Sequence, residues 1–198
     1  MKIRIGAILT LCFALACSVA AQTASGDDSY PLQHRNAAVF VGAGTGLVDR
    51  TNVQMVRVGG RLGWVLTPQG KLGSFEFDTE VSPVEYILWG GYKNVYSFSA
   101  NPVVLKWNFP THAGRKVEPF FLAQGGFVFS KDNVPPGDTS KINFTSGAGL
   151  GIHVFTRDDR AVTFDVRAIH FSNASLGNHN PGVNASLQFS LGYTWFKH

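Results

Sequence analysis

The chain has 198 residues, 44% of them apolar and only 15% charged, with a formal net charge of +4. So small a positive excess argues against a nucleic-acid partner, and the length suits one domain. Both cysteines, Cys12 and Cys17, lie close to the N-terminus, so the rest of the chain holds neither a disulfide nor a thiolate metal site.

The first element is a secretory signal peptide over residues 1–21. Lys2 and Arg4 form a positive start, an apolar run follows from Ile5 to Leu15, and small residues lead to cleavage near Ala20 or Ala21. The run is too short for a spanning helix, which needs roughly 20 apolar residues. Its removal leaves 15 basic and 13 acidic residues, a net charge of +2. Residues 22–36, polar through Ser25, Asp27, Asp28 and Ser29, read as a periplasmic lead-in to a single domain over 37–198.

From Ala37 onward the chain is a series of strand-like segments with no helical periodicity, rich in Phe, Val, Tyr and Gly. Eight strands are expected, near 37–47, 52–66, 74–88, 94–109, 118–130, 140–155, 161–173 and 184–196. Most exceed the ~9–11 residues that a tilted strand needs to cross a bilayer. Their polar faces carry charge. Arg57 and Arg61 alternate with Val56, Val58 and Leu62; Glu76, Asp78 and Glu80 with Phe75, Phe77 and Val81; Asp165 and Arg167 with Phe164 and Val166. Solvated faces of a soluble sandwich would alternate too. Export, strand length and the aromatic last strand favour an all-β, eight-stranded antiparallel outer-membrane barrel with its charges paired inside. The fourth and fifth strands alternate poorly.

Connections around 67–73, 110–117 and 156–160 read as periplasmic turns. Those around 46–51, 90–93, 131–140 and 174–183 then face outward. An even strand number returns the C-terminus to the side where the barrel began. The seventh strand runs outward into the stretch FDVRAIHFSNASLGNHNPGVN, and near its end stand His170 and Ser172. Residues two apart in a strand share a face, so an imidazole and a hydroxyl are neighbours there. Both share parity with Phe164, Val166 and Ala168, which puts the pair on the lipid-facing side of the outer rim. Two polar groups against hydrocarbon need partners or a function. The bland account is a pair of interfacial residues above the hydrocarbon; the chemical one is a serine activated by an adjacent base.

The segment HFSNASLGNHNPGVN, set in an exported barrel of this length, resembles the PagL family of outer-membrane lipid A 3-O-deacylases. The resemblance implies a serine esterase that removes the 3-linked acyl chain of lipid A in the outer leaflet. It assigns Ser172 as nucleophile and His170 as general base. Asn173 and backbone N–H groups of the following loop, which holds Gly177, are the implied oxyanion donors, and Asn180 the implied loop or oxyanion support. The chain departs from the family at the third position. Asn184 stands where members commonly carry glutamate, fourteen positions after the histidine. An asparagine can orient an imidazole but brings no charge to stabilise imidazolium. Other sources of a carboxylate are outer strand ends, such as Glu85 or Asp138.

The chemistry requires no cofactor and no protein partner beyond the lipopolysaccharide substrate and the membrane. His34, His112, His153, His179 and His198 lack the paired spacing of a metal motif. Lys93, Lys131 and Lys141, near outer strand ends, are either phosphate contacts or solvated loop charges. The rival readings are a non-enzymatic small barrel with a structural or adhesive role, and a phospholipid esterase of the same architecture.

Overall fold

The computed structural model describes residues 35–47, 51–67, 71–110, 116–137 and 139–197, with only the backbone at Asn184. The signal peptide, nearly all of the lead-in, Asp138, His34, His112 and His198 lie outside these residues. Among the described residues there is no helix. The chain forms eight strands: β1 (Arg35–Gly46), β2 (Val53–Val65), β3 (Ser74–Trp89), β4 (Val95–Asn108), β5 (Val117–Ser130), β6 (Ile142–Arg157), β7 (Arg160–Ser172) and β8 (Val183–Lys197). Each pairs antiparallel with its neighbour, and β1 closes on β8. One boundary moves. Arg35 and Asn36, expected in the lead-in, already belong to β1, because the Asn36 amide donates to Glu76 Oε1 at 2.6 Å and pins the strand start.

The wall follows from the period of two. Val39, Val41, Val58, Leu62, Val81, Leu105 and Leu150 are exposed on the outside, as lipid-facing side chains of a barrel are. Aromatic pairs occupy both rims: Tyr86 meets Tyr96 edge-on at 5.6 Å near one end, and Tyr193 meets Trp195 at 4.9 Å near the other. The poor alternation of β5 reflects apolar Phe120, Leu122 and Val128 on its inward face, the in-and-out order itself running without a break; that of β4 comes from bulges. The β4–β5 register slips between Ala100 and Val103, and β3–β4 slips twice, between Asp78 and Glu80 and between Ser82 and Glu85. Each bulge shifts the side-chain phase of the residues beyond it.

The lumen is layered. Under the β1–β2, β3–β4, β5–β6 and β7–β8 loops, an apolar cluster of Val53, Met55, Ile87, Trp89, Val95, Val128, Val134, Phe171 and Val183 fills the mouth. In the middle, Glu80 accepts from Arg57 at 3.2 Å, Arg61 at 2.9 Å, Arg167 at 3.0 Å and Asn101 at 3.2 Å. Asp165 joins this network through Arg61 at 3.1 Å and Arg167 at 2.8 Å. Lower down, Lys106 lies 2.8 Å from both Glu76 and Asp78, and Phe155, Ala161 and Phe196 pack at the far end. That end carries the short turns and both barrel termini, with Arg35 paired to Lys197.

Candidate active site

β7 runs towards the mouth with odd residues inward and even residues outward: Asp165, Arg167, Ile169 and Phe171 are buried, while Ala168 and His170 are exposed. His170 and Ser172 therefore lie on the outer, lipid-facing side at the last turn of the wall. Phe171 between them points the other way, into the apolar mouth cluster. This inward anchor holds the two polar residues outward.

On the β6 side the ladder is regular. Ser146 is the register partner of His170, Phe144 of Ser172, and Ala148 of Ala168. One strand further, Phe127 pairs with Phe144 and meets Phe129 edge-on at 5.1 Å. An external aromatic shelf thus runs along the wall to Ser172, with small side chains below it beside His170. On the β8 side the register slips: Ile169 pairs with Ser186, but Phe171 with Val183. Positions 184 and 185 are both taken up opposite His170, so the backbone of Asn184 lies at this bulge beside the histidine.

The loop from 173 to 182 is built around Asn173, which is only 1% exposed. Its backbone N–H donates to Asn180 Oδ1 at 3.0 Å, and its side-chain Nδ2 donates to the His179 carbonyl at 2.8 Å. Its Oδ1 accepts from the Ser175 N–H at 2.9 Å, and its carbonyl from the Leu176 N–H at 2.9 Å. Ala174 and Ser175 take left-handed conformations, with φ of 48° and 64°. The asparagine expected to offer its side-chain amide to an oxyanion uses one N–H of that amide within the loop, and Asn180 closes the same knot. At the loop's end Gly182 has φ of 55°, and a β-carbon there would fall 2.7 Å from the Phe171 carbonyl. Glycine is what lets the returning chain pass so close to the histidine–serine strand.

Glu85 does not supply an acid to this site. The bulge between Ser82 and Glu85 turns it into the lumen, where it is buried and accepts from Ser99 at 2.5 Å. Lys93 lies 3.7 Å from Asp132 at the rim, and Lys131 and Lys141 are exposed at the two ends of the β5–β6 loop. His179 is exposed and enters the site region through its carbonyl, whereas His153 is buried far from it, 2.8 Å from Thr163. Ser146, Phe144 and Gly182 were not among the site residues expected from the sequence, since their nearness to the pair depends on strand register.

A family model described as lipid A 3-O-deacylase (PagL) matches residues 58–194, more than half of the chain. The crystal structure of the outer membrane enzyme PagL superposes with a TM-score of 0.57 at 23% identity, covering 82% of this chain and 99% of that one. The outer membrane protein OprG from Pseudomonas aeruginosa aligns with a TM-score of 0.50 at 8% identity, covering 86% of this chain and 100% of that one. At these identities the structural likenesses establish the barrel alone. No curated protein sequence is a significant match.

Proposed function

The chain belongs to the lipid A 3-O-deacylase (PagL) family, and from that premise we propose that its ester hydrolysis runs through Ser172 and His170 at the outer leaflet. The protein is an outer-membrane carboxylic ester hydrolase of lipid A. One observation carries the residue assignment: an imidazole and a hydroxyl stand on the same lipid-facing side of β7, at its outer end.

In this reading His170 removes the Ser172 proton as Oγ attacks the carbonyl carbon of the 3-linked acyl ester. The tetrahedral intermediate collapses with cleavage of the carbon–oxygen bond to the sugar, and His170 protonates the departing sugar oxygen. Water then attacks the acyl-enzyme with His170 again as base, releasing the fatty acid and restoring Ser172. Developing oxyanion charge needs fixed donors. With the Asn173 backbone N–H and one N–H of its side-chain amide engaged in the loop, the backbone N–H of Ala174 is the donor we assign. Asn184 serves as an uncharged orienter of the imidazole. The acyl chain lies along the shelf of Phe144 and Phe127, so substrate enters sideways from the lipid.

The test expresses the protein in a Gram-negative host with unmodified lipid A and reads lipid A by mass spectrometry, beside Ser172→Ala and His170→Ala. Loss of one hydroxyacyl chain with the wild type, abolished in both variants, is the expected result. Unchanged lipid A despite verified barrel insertion would overturn the assignment. Acyl loss confined to phospholipids would favour the phospholipid-esterase alternative.

A further inference from the structure

The 173–182 loop is braced by a second loop. Gly177 lies against the backbone of Thr139, in the β5–β6 connection. A β-carbon at 177 would fall 2.5 Å from the Thr139 carbonyl oxygen and 2.7 Å from its carbonyl carbon. Two segments distant in sequence therefore touch backbone to backbone above β6 and β7.

The bracing loop is internally tied. The Val134 N–H donates to the Ser140 carbonyl at 3.0 Å, the Asn133 amide to the Gly137 carbonyl at 3.0 Å, and the Thr139 hydroxyl to the Pro135 carbonyl. From it Val134 drops into the barrel mouth, 1% exposed, and joins the cluster that contains Phe171 and Val183. Phe171 separates His170 from Ser172, and Val183 opens β8. One loop thus holds the reactive segment twice: through Gly177 from above, and through the Val134–Phe171–Val183 cluster from inside the barrel.

The β7–β8 ladder cannot supply that hold by itself, because its register slips between Ile169 and Phe171. A bulge leaves a residue unpaired and bends its strand. β7 itself stays in regular register with β6 at His170 and Ser172, so on the bulged β8 side the segment is held by packing on Phe171 and by the seat of the following loop. We propose that the β5–β6 loop is a positioning element for the deacylation, with Val134 and Gly177 as positioning residues. The proposal rests on Ser172 and His170 being the reacting pair. Catalytic geometry is sensitive at this scale, a misplacement of about 1 Å costing roughly 10²-fold in rate.

The experiment uses the full mature protein, refolded in detergent, with lipid A in mixed micelles and folding monitored by heat-modifiable migration. The variants are Val134→Ala, Val134→Ile, Gly177→Ala and Met55→Ala. Met55 sits in the same apolar cluster but on β2, paired with Gly44 and Ile87, away from β7. Val134→Ala and Gly177→Ala should lower kcat by about tenfold or more with KM changed less than about twofold. Val134→Ile should recover most of the loss, and Met55→Ala should keep its kcat. Equal loss in Val134→Ala and Met55→Ala, or no recovery with isoleucine, would overturn the proposal. Should Val134→Ala fail to fold, Gly177→Ala decides: a wild-type kcat there overturns it. Activity that survives Ser172→Ala instead overturns the nucleophile assignment, and the positioning claim with it.

Discussion

A period of two made the position of the proposed reacting pair readable. His170 and Ser172 share parity with Val166 and Ala168, and that parity alone sends them to the lipid side. What surrounds them was not readable. Ser146 is next to His170 only because β6 and β7 pair in the register set by the Asp158–Asp159 turn and the slip between Phe155 and Arg157, and the alternation alone does not place that turn to the residue. The Asn173 amide looked available because its partner, the His179 carbonyl, is a backbone group of the loop. Asn184 is the departure with the clearest chemical consequence, since its backbone lies at the bulge beside His170 and its amide carries no charge. An asparagine in place of the acid leaves imidazolium without a counter-charge. Replacing a triad aspartate by asparagine costs about 10⁴ in turnover in a serine protease. Asn184→Glu should therefore raise kcat, by up to about that factor, while Asn184→Ala should lower it. Both are read as initial rates of fatty-acid release; a glutamate variant no faster than wild type would mean that the site orients its histidine without need of charge.

Strand positions were legible because the alternation runs through them, and each boundary lies within two residues of its expected place. The bulges were not. Glu85 is the clearest case: counted in twos from Glu80 it belongs outside, and the slip between Ser82 and Glu85 carries it inside. Yet several leave a mark in the sequence: Pro83 lies in the slip between Ser82 and Glu85 and Pro102 in that between Ala100 and Val103, and a proline inside a paired strand belongs at a bulge because it has no N–H for the ladder. A glycine pair, Gly59–Gly60, marks the place where β2 slips against β3 between Val58 and Gly60. A β-carbon at 59 would meet the Phe40 ring at 2.5 Å, the Val81 carbonyl at 2.5 Å and the Ser82 hydroxyl at 2.8 Å. The ring can turn, but the carbonyl belongs to the ladder. Gly59→Val should therefore lower barrel stability by about 1–3 kcal/mol, the usual cost of overpacking. It is measured as a lower urea midpoint in detergent, whereas Gly125→Ala, where nothing lies within 4 Å of the added carbon, should change little.

Over the whole molecule, interior and reaction surface divide the work. Charge alternating with apolar residues foretold a lumen of paired carboxylates and guanidinium groups. It did not foretell the apolar cap, because Val134 reaches the mouth from a loop whose neighbours, Asp132, Asn133, Pro135 and Gly137, read as solvent. With the cap above and Phe155, Ala161 and Phe196 below, the centre of the lumen is closed off from water at both ends. Glu80 is the hub, fully buried and bonded to three guanidinium groups from two strands. Removing one member of a buried ionic set typically costs about 3–5 kcal/mol, because the remaining charges stay desolvated without their partner. Glu80→Gln keeps the shape and removes the charge, leaving Arg61 and Arg167 with Asp165 and Arg57 with Glu85, its cross-strand register partner. The urea midpoint should fall accordingly. The fraction that folds should still deacylate at the wild-type rate, since Ser172 and His170 face the opposite side of the wall. Unfolding followed by tryptophan fluorescence and activity normalised to folded protein separate the two effects. A folded Glu80→Gln barrel with a reduced kcat would show that the lumen network reaches the reaction through β7, where Arg167 lies three positions before His170.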